Sequence, residues 1–375
     1  MSYRKKYLKI AVLSVLVSLL AGAVVILILG KNPLSAYYNL LQGCGLAPKA
    51  KYAGGKSMFT DLSSYIDYLT PMLFAALSYA VAMRAGLFNI GISGQMLVAG
   101  FISSVTIGYS TLSAPVAKPL VLLIGIVSGM AVGALIGFFK YRFNINEVVS
   151  SIMLNYIAEY VISFFIHVKY VDPVSRQSRN ISDAARLTLH QIVIGGYKYD
   201  IPIGFILAVL AVFVLKFVFD RTVLGYELRA VGLNPTAARY AGIHVGRNLV
   251  LSMTISGALA GLAGVTYYLG YFASIQPRVL VSTGYDAIAV GLLGNNDPVG
   301  ILAASFLIEI IGKGSTYMSS QAGLQSEIAS VITGLILLAS ACNAFFMNRL
   351  DRRQAAKEEL HRKKEEGGIQ KGERV

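Results

Sequence analysis

Polar side chains stand at two places where long apolar runs are interrupted by glycine. Asn89, Ser93 and Gln95 lie among Gly86, Gly91 and Gly94, and Asp286 lies within the short run Gly284–Gly294. Phe88 adjoins the first group and Tyr285 the second, while Asn155, Tyr156 and Glu159 fall near the middle of another apolar run. Amides, hydroxyls and aromatic rings in such places can replace water around a polar, uncharged solute, bonding its edges and stacking on its faces. The same amides can instead satisfy backbone groups freed where a helix is interrupted. For Asn155, Tyr156 and Glu159 an interhelical contact and a substrate contact are equally open. Glu309 and Lys313 stand four apart in the order that favours a helix ion pair, with pathway lining as the alternative.

Catalytic signatures are lacking. Gly55-Lys56-Ser57 ends like a phosphate-binding loop, but Ala50 occupies a position where that pattern requires glycine. No His-Glu-x-x-His or Gly-x-Ser-x-Gly run occurs. His167, His190, His244 and His361 form no cluster, and Cys44 and Cys342 lie far apart, so neither a disulfide framework nor metal spacing is present. The expectation is a non-enzyme with no catalytic residue, no metal site and no cofactor of its own.

The elements that must position these residues are membrane helices. Of 375 residues, 55% are hydrophobic and only 14% charged, against roughly 25% charged in soluble domains. That excludes an ordinary soluble enzyme and a nucleic-acid binder. Runs of about 20 apolar residues are the length of a spanning helix. Ten spans are predicted, at 8–29, 67–85, 89–109, 119–139, 147–168, 201–219, 248–270, 284–294, 298–317 and 326–347. The first follows a basic segment but is long enough to span, and no small-residue cleavage site follows it closely. The division is an N-terminal cytoplasmic segment with the first transmembrane helix (1–30), an extracellular loop (31–66), a transmembrane domain (67–347) and a charged cytoplasmic tail (348–375). The net charge of +14 then sets orientation, with both termini and the basic 221–247 loop on the cytoplasmic side.

The run Gly284–Gly294 is too short to cross a bilayer at about 1.5 Å per residue. Paired glycine-broken segments in two halves point to a transport site. Spans two to five and seven to ten are therefore expected to form an inverted repeat of two broken-helix halves within an all-α polytopic membrane protein. Gly125, Gly129, Gly133 and Gly137, with Gly257 and Gly261, predict close helix packing within the fold. Asn144-Ile145-Asn146-Glu147 reads as a capping box opening the fifth span.

Between spans six and seven, Asn234-Pro235-Thr236-Ala237-Ala238-Arg239-Tyr240-Ala241-Gly242 has the grammar of a short rigid helix. Asn234 caps it, Pro235 suits the first helical position and Gly242 stops it. That is more than a connector needs, and suggests docking of a cytoplasmic partner. A helix lying on membrane lipid is the other reading.

These segments resemble one family. Met83-Arg84-Ala85-Gly86-Leu87-Phe88-Asn89-Ile90-Gly91-Ile92-Ser93-Gly94-Gln95 resembles the signature of ABC-importer permeases of the branched-chain amino acid/ribose/nucleoside class. Asn146–Tyr156 is similar to a segment of the nucleoside branch, Gly232–Ile243 to the family's coupling-helix segment, and Gly284–Gly294 to its later conserved stretch. Where the family often has Ala-Glu-Gly-Gln, this chain has Ile92-Ser93-Gly94-Gln95 and lacks the charge. The resemblance implies the permease subunit of a bacterial plasma-membrane importer for nucleosides, with a ribose-like sugar as the rival solute. An ion-coupled secondary transporter using Asp286 or Glu309 is the alternative from outside the family. Implied partners are an ATPase subunit that binds ATP and Mg, a second homologous permease or a copy of this chain, an extracellular substrate-binding (lipo)protein and membrane lipid. Nucleic acid is not among them. Phe88, Asn89, Ser93, Gln95, Asn155, Tyr156 and Asp286 are the expected pathway residues; Gly232, Asn234, Pro235, Ala238, Arg239 and Gly242 are the expected coupling residues.

Overall fold

The computed structural model describes residues 3–52, 54–194, 196–325, 327–342 and 349. In chain order the helices are α1 Tyr3–Ile28, α2 Pro33–Gly43, α3 Met58–Arg84, α4 Ile92–Ser103, α5 Ala114–Phe143, α6 Glu147–Phe165 and α7 Ile203–Arg221. They continue as α8 Val223–Leu233, α9 Pro235–Tyr240, α10 Val245–Thr266, α11 Thr283–Leu293, α12 Pro298–Ala322 and α13 Glu327–Ala341. One antiparallel hairpin, β1 Thr188–Ile194 with β2 Tyr197–Pro202, interrupts the helical order. Among the described residues seven helices are long and apolar enough to span a membrane: α1, α3, α5, α6, α7, α10 and α12. The chain is thus a multi-pass membrane protein. The remaining three expected spans correspond to the shorter apolar helices α4, α11 and α13.

Helix α3 is the axis of the bundle. Its residues from Leu69 to Ala82 are all buried, and it packs against α7, α10, α11 and α12. The outer helices α1, α5, α6 and α7 instead expose rows of large apolar side chains, as helices facing hydrocarbon do. The hairpin and α8–α9 lie at opposite ends of α7, and so mark the two ends of the bundle.

The glycine stripe packs α5 against α10 inside the chain. A Cβ built on Gly129 falls 2.2 Å from the Gly257 carbonyl oxygen, and one on Gly133 falls 2.2 Å from that of Met253. Only hydrogen fits there, so two backbones meet along most of their length.

Three sequence expectations are corrected. The 31–66 segment holds helix α2, capped by Asn32 and pressed against Gly314 of α12, and α3 begins at Met58 rather than at 67. Asn32-Pro33 carries the same start signal as Asn234-Pro235. Asn144 does not open α6: it ends α5 in the left-handed conformation (φ 52°), while the Asn146 side chain caps α6 at Val148 N. Glu147 reaches back to Lys140, 2.9 Å away, and pins the two helices together. No salt bridge joins Glu309 to Lys313, whose ammonium donates to Tyr271 Oη at 2.8 Å. The tail, 348–375, lies outside the described residues except for 349.

The hairpin is tied to the bundle by Thr188, which donates to the buried Asp67 of α3 at 2.7 Å. Within the hairpin, His190 Nδ1 of β1 meets Asp200 of β2 at 3.0 Å. The hydrogen bond to Asp200 holds the imidazole pKa above its ordinary value, outweighing burial and the facing Arg186 guanidinium.

Two measurements check this architecture. Gly133→Val is expected to destabilise the purified chain by about 1–3 kcal/mol, as overpacking does, seen as a lower melting temperature in detergent. Because His190 has a raised folded pKa, its contribution is full below about pH 6.5, the unfolded value, and is lost as pH rises through the folded one. The melting temperature is therefore expected to fall as pH rises above about 6.5, with a shallower slope in His190→Gln.

Candidate functional site

Helices α4 and α11 both begin inside the bundle after stretches of irregular backbone, and their first turns touch. A Cβ on Gly284 would lie 2.3 Å from Ser93 Oγ, and that hydroxyl donates to the Val281 carbonyl at 2.8 Å. The two broken segments therefore meet at their helix N-termini. Each such end presents unsatisfied N–H groups and a partial positive charge. Asp286 occupies the first turn of α11 and is partly exposed.

The expected pathway residues separate into two sets. Asn89, Ser93 and Gln95 are fully buried and Asn155 is 1% exposed. Asn155 Oδ1 accepts from Gly94 N at 3.0 Å, and its Nδ2 donates to the Ile90 carbonyl at 3.0 Å. Asn89 Oδ1 accepts from Gly91 N at 2.9 Å, and its Nδ2 donates to Ser256 Oγ and Gln95 Oε1. Ser256 in turn exchanges hydrogen bonds with Ser78 across α10 and α3. These amides complete the broken backbone and tie α4 to α6, α10 and α11. Asn155 thus makes a contact between α6 and the start of α4. Ser78 and Ser256, 178 positions apart, carry no local signal that would pair them.

Phe88 packs edge-on to Tyr79, with ring centroids 5.5 Å apart, and is partly buried. Tyr156 is not brought to this cluster. It follows Asn155 by one position on α6, so it points about 100° away, and it is 52% exposed. It joins Tyr160 on the outer face of α6, while Tyr285 at the start of α11 is also exposed and lies 3.5 Å from Asn155 Nδ2. A separate cavity of about 390 Å³ lies between α2, α3 and α12, lined by Tyr68, Tyr271, Lys313 and Tyr317 among others.

At the far end of the bundle the expected docking helix is formed. Asn234 Oδ1 accepts from Thr236 N and Ala237 N, both at 3.0 Å, and Gly242 ends α9 at φ +83°. Ala238 is buried against Val231 and Val245, which seats the six-residue helix on α8 and α10. Pro235, Arg239 and Gly242 are exposed, and so are Leu233 and Tyr240 beside them, Tyr240 at 91%. Gly232 is in backbone contact with the turn that follows α3: a Cβ on it would lie 2.3 Å from the Arg84 carbonyl oxygen.

The chain resembles known proteins over most of its length. Residues 62–341 match the family described as branched-chain amino acid transport system / permease component. The nucleoside ABC transporter permease protein NupB of Lactococcus lactis subsp. cremoris is 34% identical, over 90% of this chain and 91% of that protein. The guanosine ABC transporter permease protein NupP of Bacillus subtilis is 33% identical, over 94% and 99%. The glucose ABC transporter permease protein TsgB13 of Haloferax volcanii is 26% identical, over 89% and 87%.

Replacing Asn155 separates a structural from a solute-binding role. Asn155→Ala leaves Gly94 N and the Ile90 carbonyl without partners, each costing about 1–3 kcal/mol when buried. A clear drop in melting temperature of the solute-free chain is expected. Unchanged stability with impaired transport would assign Asn155 to the solute.

Proposed function

Because the chain belongs to the branched-chain amino acid transport system / permease component family, and so is a non-catalytic permease subunit of an ABC transporter, we propose that it imports nucleosides. The solute class is supported by the extent of the likeness to permeases named for nucleosides and guanosine, which runs nearly end to end. A nucleoside offers a flat base and a polar, uncharged rim, which suits tyrosine rings and a carboxylate at a helix N-terminus.

The observation that carries the transport reading is the meeting of two half-helix N-termini at Ser93 and Gly284. Irregular backbone at membrane depth is tolerated where protein covers it or where it lines a water-filled cavity. Here Asn89 and Asn155 cover one side. The open side carries the exposed Tyr156, Tyr160 and Tyr285 with the partly exposed Asp286. A carboxylate is costly against hydrocarbon, so this side faces a second permease, either a homologue or a copy of this chain, and the solute passes between them. Tyr156 and Asp286 then line the pathway, and Asn89, Ser93, Gln95 and Asn155 shape it from behind.

Energy comes from a partner ATPase, which binds ATP and Mg and docks on α9 through Leu233, Arg239 and Tyr240. An extracellular substrate-binding protein delivers the solute at the hairpin end. The ten spans, the inverted repeat, the bacterial plasma membrane and cytoplasmic termini belong to the same reading.

Two experiments test it. In cells expressing the assembled transporter, unlabelled nucleosides should compete with labelled guanosine uptake at least tenfold better than glucose or ribose; the reverse order would overturn the solute class. Ala238→Asp, which unseats α9, should abolish co-purification of the ATPase while the chain still accumulates in the membrane. Retained co-purification would move the docking site elsewhere.

A further inference from the structure

The end of the bundle that bears α8 and α9 also holds a charged cluster whose members come from α3, α7 and the turn between α11 and α12. Arg84 ends α3, and its Nη2 donates to the Asn296 carbonyl at 3.1 Å. Its guanidinium carbon lies 5.0 Å from the centre of the Phe219 ring on α7. Lys216 on α7 pairs with Asp297 and, at 2.9 Å, with Asp220. Asp297 caps α12 at Gly300 N.

These contacts meet where the two broken segments leave the bundle. Arg84 directly precedes the first segment, and Asn296 and Asp297 directly follow α11, the helix of the second. Asn295 and Asn296 both sit at positive φ (57° and 52°), so the turn after α11 is tightly wound just where Arg84 grips its carbonyl. The remaining neighbour is α8. Its start is pressed on α7, since a Cβ on Gly225 would lie 2.2 Å from the Val218 carbonyl oxygen. Its end is pressed on the Arg84–Gly86 turn through Gly232, three residues before α9 begins. Glycine at 86, at φ +74°, and at 232 lets the two backbones touch with no side chain between them. A displacement of α9 therefore passes by hard contact into α8, and from α8 into the residue that holds both broken segments.

We propose that Arg84 is the positioning residue that yokes the two broken segments to the docking element, so that one movement of α8–α9 shifts both helix N-termini together. This rests on the ATP-driven reading above. A planar guanidinium suits the role because it can stack on Phe219 and donate to Asn296 at once, which an ammonium cannot do. Its Nε is buried without a hydrogen-bond partner, so in this arrangement the fork is engaged at one corner only. The Lys216–Asp297 pair holds the α12 side of the same joint.

The test uses the intact transporter, with its ATPase and partner permease, reconstituted in vesicles. ATP hydrolysis and uptake of labelled guanosine are measured on the same preparation, for the unaltered chain, Arg84→Gln and Arg84→Lys. Arg84→Gln is expected to leave hydrolysis within about twofold and to lower guanosine moved per ATP by about tenfold, the scale of one charge-assisted hydrogen bond. Arg84→Lys is expected to recover part of that ratio. Should Arg84→Gln not accumulate, Phe219→Leu removes the ring beneath the guanidinium and reads the same ratio, with a drop of about threefold expected. An unchanged ratio, or hydrolysis and uptake falling in equal proportion, would overturn the proposal. Absence of ATP-driven uptake with the unaltered chain would contradict the proposed function itself, and is thereby distinguished from failure of the joint.

Discussion

Backbone interrupted inside a membrane must find its hydrogen bonds within the protein, because hydrocarbon offers none. The architecture around α4 and α11 follows from that constraint. Gly91 N, Gly94 N, the Ile90 carbonyl and the Val281 carbonyl would each be left bare by the breaks, and each is met by a side chain: Asn89, Asn155 twice, and Ser93. Those side chains come from or bind to α6, α10 and α11. Completing the breaks is therefore also what gathers the helices around the site, and polar groups that look like solute ligands in the sequence serve first as supports.

Supports of this kind work only if the surrounding helices stand still. The α5–α10 contact supplies one fixed pair, with glycines on both sides bringing the backbones together. Burial of α3 on all sides supplies the axis, and α8 rests on its last turn. By contrast α9 is held by one small apolar seat at Ala238 and otherwise faces outward. Rigid scaffold, completed breaks and an exposed short helix are three distinct mechanical parts, and they touch at Gly232, Arg84 and Ser93.

Much of this was legible in the sequence because glycine and proline act locally. Gly86, Gly91, Gly94 and Gly284 mark the breaks, the stripe from Gly125 to Gly137 marks the close packing, and Asn234-Pro235 marks the start of the short helix α9. What was not legible depended on side-chain direction or on distant partners. Asn155 and Tyr156 are neighbours in sequence, yet one helical step turns the first inward and the second outward. Glu309 and Lys313 have ion-pair spacing, but Tyr271 from another element captures the ammonium. Asn144 and Asn146 both favour helix boundaries, and only the observed left-handed φ at Asn144 shows that it closes one helix before Asn146 opens the next. Helix α2 was missed for a different reason: its Asn32-Pro33 start signal sits in a segment otherwise too polar to span.

The central claim is that this chain moves its solute by coupling broken helices to a partner's ATP hydrolysis. The most direct test measures guanosine uptake in cells with and without the chain, once with ATP depleted and once with the proton gradient collapsed while ATP is maintained. The account predicts that chain-dependent uptake disappears on ATP depletion and survives collapse of the gradient. Uptake that needs the chain yet follows the gradient, with ATP making no difference, would contradict it and return Asp286 and Glu309 to the role of ion-coupling carboxylates.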